Sequence, residues 1–200
     1  MPPVIHPTPI RDDQRTTNRS ILMPLAILPL VGLFSLLVWA LLQSGGMPSG
    51  SNIFDQPGEV SIEPRPAPNF TLLTIEGESI DLNDLHGKVV MIDFWASWCP
   101  PCVHEAPTLR NVYQEYKNRG VEFIGVAIWD SEMDISMFIE KFNVPYPNGL
   151  DKTGTIAIDY GVSGIPEKHF VDRRGWVAKK FTGPMDEEQL HSVLNALLVP

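Results

Sequence analysis

An α/β domain built on a mixed sheet is what the larger, C-terminal part of this 200-residue chain predicts. Three observations carry it: two near-continuous apolar runs, residues at helical spacing after each, and a late hairpin followed by a last helix. Strands covered on both faces read as unbroken apolar runs rich in β-branched residues. Helical crossovers between such strands make them parallel, and a hairpin adds antiparallel neighbours. The sum is a mixed central sheet flanked by helices.

Taken in order, Phe70 to Thr74 alternates as a strand does, and Glu76-Gly77-Glu78 supplies a turn. Lys88 to Ala96 (KVVMIDFWA) is the first buried strand. From about Pro100 to Asn118, Val103, Ala106, Leu109, Val112, Tyr113 and Tyr116 recur at helical spacing, and Gly120 stops the helix. Val121 to Trp129 (VEFIGVAIW) is the second buried strand. Glu132 to Phe142 places Ile135, Phe138, Ile139 and Phe142 on one side of a helix, and Thr155 to Tyr160 is a short helix ended by Gly161. Glu167 to Val171 and Trp176 to Thr182 are strands joined by the turn Asp172-Arg173-Arg174-Gly175. Met185 to Leu198 closes the domain, with Leu190, Val193, Leu194 and Leu197 on one face.

The domain spans residues 67–200, and three other segments precede it. Ile21 to Leu42 is uncharged over a length that, at 1.5 Å per helical residue, spans roughly 33 Å, the thickness of a bilayer core. Pro24, Pro29 and Gly32 are breakers that a membrane helix tolerates. Arg11, Arg15 and Arg19 stand before it, and no Lys or Arg follows until Arg65. That asymmetry puts residues 1–20 in the cytoplasm and the C-terminal bulk outside it. A cleaved secretory signal is the alternative, but its apolar region is usually only about 7–15 residues. Residues 43–66, rich in Gly, Ser and Pro, read as a flexible linker that stiffens at its Pro-rich end. With the three arginines and two aspartates of residues 1–42 set aside, the remainder carries −10, which disfavours nucleic acid and anionic lipid headgroups as partners.

Cys99 and Cys102 are the only cysteines, spaced C-x-x-C within WASWCPPC. Outside the cytoplasm a disulfide persists, but one that closes so short a loop removes little unfolded-state entropy and makes a poor staple. A structural zinc site needs about four ligands, and only His104, His169 and His191 remain after the linker, none at a ligand-pair spacing. The third reading is a redox dithiol. At a strand-to-helix junction the first sulfur lies among unpaired helix N–H groups that stabilise a thiolate. Cys99 is then the attacking thiol, and Cys102, shielded in the first turn, resolves the mixed disulfide. Pro100 and Pro101 suit a first helical turn. Asp93 interrupts an apolar run and costs stability unless it is satisfied; a carboxyl there with a raised pKa can deprotonate Cys102.

MIDFWASWCPPC, with GIPEKHFVD some sixty residues later, resembles thioredoxin-fold proteins, and more closely the membrane-anchored TlpA/ResA and DsbE/CcmG types. Asn143-Val-Pro-Tyr-Pro, Asp159-Tyr-Gly-Val and Gly164-Ile-Pro-Glu resemble segments of the DsbE/CcmG branch. The resemblance covers roughly residues 67–199. It implies a thioredoxin-like fold and an extracytoplasmic thiol–disulfide oxidoreductase, tethered to the cell membrane by one transmembrane helix. Its clients would be proteins with disulfides, such as apocytochrome c awaiting haem, and its electron donor a membrane thiol reductant. The Cys99–Cys102 pair serves in place of a cofactor, and no metal is expected. The resemblance further implies a cis bond before Pro166, with Ile165 and Pro166 cradling the client beside Cys99. It gives Glu105 a role in tuning or relaying the thiol proton, and Glu167 a role in client binding or thiol tuning. Trp98 is expected to be partly exposed and to contact partners. Lys168-His169 departs from the Thr-Phe usual after the family's Pro-Glu, and Asp93 from the Asn common in the TlpA branch.

Two other functions share features of this sequence. A peroxiredoxin-like peroxidase normally presents Thr or Ser three positions before its peroxidatic cysteine, where this chain has Ala96. The other is a metal or haem chaperone without exchange activity; copper-chaperone relatives use C-x-x-x-C with a distal His, one residue longer than the spacing here.

Overall fold

The structure, a computed structural model, describes residues 28–39 and 58–199. The chain divides into two compact units, residues 1–53 and 54–200. In the first, residues 28–39 form helix α1, whose apolar side chains are exposed. This helix falls inside the expected span 21–42, and the rest of that span lies outside the described residues. Among the described residues no helix is long and apolar enough to cross a membrane.

The second unit carries a seven-stranded sheet. Its strands are β1 (Gly58–Val60), β2 (Arg65–Pro66), β5 (Val89–Trp95), β6 (Val121–Ala127), β7 (Asn148–Leu150), β8 (Glu167–Val171) and β9 (Trp176–Thr182). They run in the order β1-β9-β8-β5-β6-β7, with β2 also on β9. The pairs β5–β6 and β6–β7 are parallel, and β5–β8, β8–β9 and β1–β9 antiparallel. A separate hairpin, β3 (Thr71–Leu73) with β4 (Ser79–Asp81), packs beside the sheet. The helices are α2 (Pro100–Tyr116), α3 (Glu132–Phe142), α4 (Thr155–Tyr160) and α5 (Glu187–Leu198). This is the expected thioredoxin-like arrangement, a mixed sheet flanked by helices.

Alternation along the buried strands divides the core in two. Val89, Met91 and Trp95 of β5 pack with Leu109 of α2, Ile135 of α3 and Leu190 of α5. Val90, Ile92 and Phe94 face the other way, against Leu72 of the hairpin and Ile156 and Tyr160 of α4. Asp93 belongs to the first face by parity, so an acid is built into the helix-covered core.

Several stretches differ from the sequence reading. Gly58–Val60 and Arg65–Pro66, read as linker, pair with β9 and belong to the sheet. Their backbones supply the pairing, so no apolar alternation marks them, and Pro66 is tolerated because it sits on an edge strand. Residues 43–57 of that linker lie outside the described residues. β7 was also absent from the sequence reading, being only three residues long. β6 ends at Ala127, not Trp129, because Trp129 turns out of the strand with φ 54° and is 70% exposed. The bounds of α3 and α4 are as expected: Ser131 caps α3, and Gly161 ends α4 in the left-handed conformation.

Candidate active site

Strand β5 ends one turn before α2, and Cys99 lies in that junction as the N-cap of the helix. Its Sγ accepts the backbone N–H of Cys102 at 3.4 Å, while Pro100 and Pro101 take the first helical positions, where no acceptor is lost. The two cysteines form a disulfide with Cα atoms 5.3 Å apart. Each is only 3% exposed. Accessibility does not separate the two cysteines, contrary to the expectation that Cys102 alone is shielded. Their surroundings do: Cys102 lines a small buried cavity together with Asp93, Trp95, Tyr146 and Asn148.

The junction is held from several sides. Asp130, after β6, accepts from the Ser97 amide at 2.6 Å and the Ser97 hydroxyl at 3.0 Å. Trp95 donates from Nε1 to Asn148 Oδ1 at 3.0 Å, and Asn148 donates in turn to the Tyr146 carbonyl at 2.8 Å. This pair passes directly over Gly125, where a Cβ would collide with the Asn148 side chain. Trp98, next to Cys99 in the chain, is 57% exposed and donates from Nε1 to the backbone carbonyl of Trp129, itself exposed.

Beneath Cys102 lie three buried charges. The antiparallel register sets Lys168 of β8 directly opposite Asp93 of β5. The Lys168 ammonium pairs with Asp93 Oδ1 at 3.4 Å and with Glu105 Oε1, and Glu105 Oε2 accepts the Met185 amide at 3.0 Å. Asp93 Oδ1 has no hydrogen-bond partner. Burial pushes the Asp93 carboxyl up against the opposing pull of Lys168. Burial likewise raises Glu105 to about 7, with Lys168 opposing and Asp93 adding to the shift.

The protein-family model of the AhpC/TSA family matches residues 64–180. The chain belongs to this family. Among curated proteins, thiol-disulfide oxidoreductase ResA of Bacillus subtilis (strain 168) is 36% identical over 131 residues, covering 66% of this chain and 73% of that one. Among solved structures, a thiol:disulfide interchange protein of the thioredoxin family from Chlorobium tepidum TLS has a TM-score of 0.64 at 26% identity, over 70% of this chain and 99% of that one. A secreted Mycobacterium tuberculosis disulfide oxidoreductase homologous to E. coli DsbE has a TM-score of 0.58 at 31% identity, over 64% of this chain and 96% of that one. The protein is a thiol–disulfide oxidoreductase of the ResA/DsbE type, with Cys99 and Cys102 as its pair.

In this AhpC/TSA-family oxidoreductase the remaining site residues fall into two groups. The Ile165–Pro166 bond is cis, and because β8 runs antiparallel to β5 it opens at the same end of the sheet as the dithiol. Pro166 is buried and Ile165 half-buried against both core layers, while Ser163 and Gly164 are exposed. Glu167 follows directly. It is fully buried, accepting from the Ser163 amide and hydroxyl at 3.3 and 3.1 Å and from His169 Nε2 at 2.8 Å, with Lys180 at 2.9 Å. A carboxylate so enclosed steadies the loop before Pro166.

Lys168 is the site residue that the sequence reading noted only as a departure from the family's Thr-Phe. The available signal was a lysine inside a strand otherwise apolar beyond His169, in a chain that already placed an acid inside β5. Among the described residues no three potential ligands group to hold a metal ion.

Proposed function

We propose that the chain is a membrane-anchored, extracytoplasmic reductase of client disulfides, acting in cytochrome c maturation. The observation that carries the reading is the asymmetry at the dithiol: Cys99 caps a helix N-terminus, and Cys102 shares a cavity with Asp93, a buried carboxylate held only loosely by Lys168. The helix end stabilises a Cys99 thiolate, which attacks a client disulfide. Asp93 accepts the proton of Cys102, whose thiolate then attacks Cys99 and releases the client thiol. Trp98 and the Ile165–Pro166 segment form the seat for the client beside Cys99, and Glu167 holds that seat from behind. Residues 21–42, with Arg11, Arg15 and Arg19 before them and no Lys or Arg after them until Arg65, support the anchor and its orientation.

Trapping tests the assignment. Full-length Cys102→Ala incubated with extracytoplasmic proteins accumulates mixed disulfides through Cys99, visible as reducible adducts on non-reducing gels. Equal trapping by Cys99→Ala would refute the roles. Apocytochrome c among the trapped proteins, and cytochrome c deficiency on deletion that an added thiol reductant repairs, test the pathway.

A further inference from the structure

A lysine with no solvent exposure, buried inside a strand, has a cost that the proposed chemistry does not use. Lys168 is among the largest fully buried side chains of the domain. Taking an ammonium out of water costs several kcal/mol in order of magnitude unless partners repay it. Its partners are two carboxylates, one more than neutrality needs. With all three ionised the cluster holds one uncompensated negative charge away from water.

The two carboxylates are not equivalent. Both oxygens of Glu105 are engaged, one by Lys168 and one by the Met185 amide. Asp93 meets Lys168 at 3.4 Å, too long and poorly aligned for a well-formed hydrogen bond, and it lines the cavity that Cys102 also lines. We infer that Lys168 is a positioning residue of the dithiol site: it holds Glu105 in place through one carboxylate oxygen, and by its weaker hold on Asp93 it sets when Asp93 can take the Cys102 proton. The inference rests on the proposed role of Asp93.

The step is balanced as follows. With Cys99 joined to a client sulfur, the Cys102 thiol proton passes to the Asp93 carboxylate. The Cys102 thiolate forms a bond to Cys99 Sγ, and the bond from Cys99 to the client breaks. The client sulfur leaves with the electron pair and takes a proton from solvent, and Asp93 later returns its own proton to solvent. The client disulfide is thereby reduced and the protein dithiol oxidised. The titratable groups facing the cluster are Cys102 and Glu105 of α2, Asp93 of β5, and Tyr146 ahead of β7, whose hydroxyl burial and the two acids hold well above its ordinary value. From the α5 side comes the neutral Met185 amide, and β9 contributes apolar Phe181 to the same layer.

The test uses reduced full-length protein and Ellman's reagent. A first thionitrobenzoate is released as Cys99 attacks, and a second as Cys102 resolves the adduct; the second rate is followed against pH. Lys168→Met shifts the midpoint of the second phase up by about one pH unit, so the rate at neutral pH falls about tenfold. Glu105→Gln shifts it the opposite way, because the ammonium then serves Asp93 alone. Displacement in opposite directions is the signature that mere loss of packing would not give. If Lys168→Met does not fold, Lys168→Met/Glu105→Gln removes one buried charge of each sign and still raises the midpoint; if neither folds, Glu105→Gln alone decides. An unmoved midpoint in a folded variant, or a slower second phase without a downward shift in Glu105→Gln, overturns the inference. If Asp93→Asn keeps the wild-type profile, the Asp93 reading itself has failed; if Asp93→Asn abolishes the titration while the other variants leave it in place, only the role of Lys168 has.

Discussion

Consecutive residues of β8 send buried charges to opposite faces of one strand, and the two clusters they build behave differently. On one face Lys168 serves Asp93 and Glu105 below the dithiol, leaving one carboxylate oxygen without a hydrogen bond. On the other, Glu167 receives Ser163, His169 and Lys180. Burial alone would raise the Glu167 carboxyl, but the His169 and Lys180 hydrogen bonds outweigh it and hold the group below its ordinary value. Burial lowers His169 more than Glu167 raises it, so the ring is neutral. Similar side chains, similarly buried, thus give one acid held in its charged form on one face and two with raised pKa values on the other, of which Asp93 alone keeps an oxygen without a hydrogen bond. Satisfaction decides which: a fully hydrogen-bonded carboxylate is scaffold, and a partly bonded one is available for chemistry.

The largest effect expected of this contrast is at Glu167. Glu167→Gln strands the Lys180 charge and costs about 4 kcal/mol at neutral pH, read from urea unfolding midpoints. Because the folded pKa is depressed, the Glu167 contribution is full above the unfolded value and disappears as pH falls through the folded one. The gap between wild type and variant therefore closes in acid. Glu105 carries the opposite sign. Its folded pKa is raised to about 7 from 4.5, so its contribution is full below the unfolded value and lost as pH rises toward 7. Wild type should lose roughly 3 kcal/mol across that window, and Glu105→Gln should flatten the loss. A neutral-side slope that vanished instead in Glu167→Gln would collapse the distinction between the faces. The smallest effect is at His169, whose Nδ1 is buried without a partner. His169→Phe loses one hydrogen bond to Glu167 and relieves one orphaned nitrogen, for a net change of about 1 kcal/mol or less.

The dithiol and its strand-to-helix junction were legible because spacing and position state them outright, as Ser131 and Gly161 state the helix ends they mark. Asp93 was legible as an anomaly, since an acid within an unbroken apolar run has nowhere polar to point. Lys168 and Glu167 were not. A charged residue in a strand reads as solvent-facing, and only the register that pairs Lys168 with Asp93, together with the closeness of α2, shows the charge turned inward. Gly125 was equally silent, since its requirement arises from Asn148, more than twenty residues away in sequence. The edge strands β1 and β2 were hidden because their pairing is made by backbone, which every sequence possesses.

That edge has a practical consequence. β1 and β2 cover β9 along one side, and Glu59 adds an ion pair to Lys179. A soluble fragment begun at residue 67, where the sequence places the domain boundary, strips β9 of both partners. It leaves a row of open amides and carbonyls that other chains can join. The segment that looked like a leash is also the hem of the sheet, and a fragment that is to stay monomeric has to begin before Gly58.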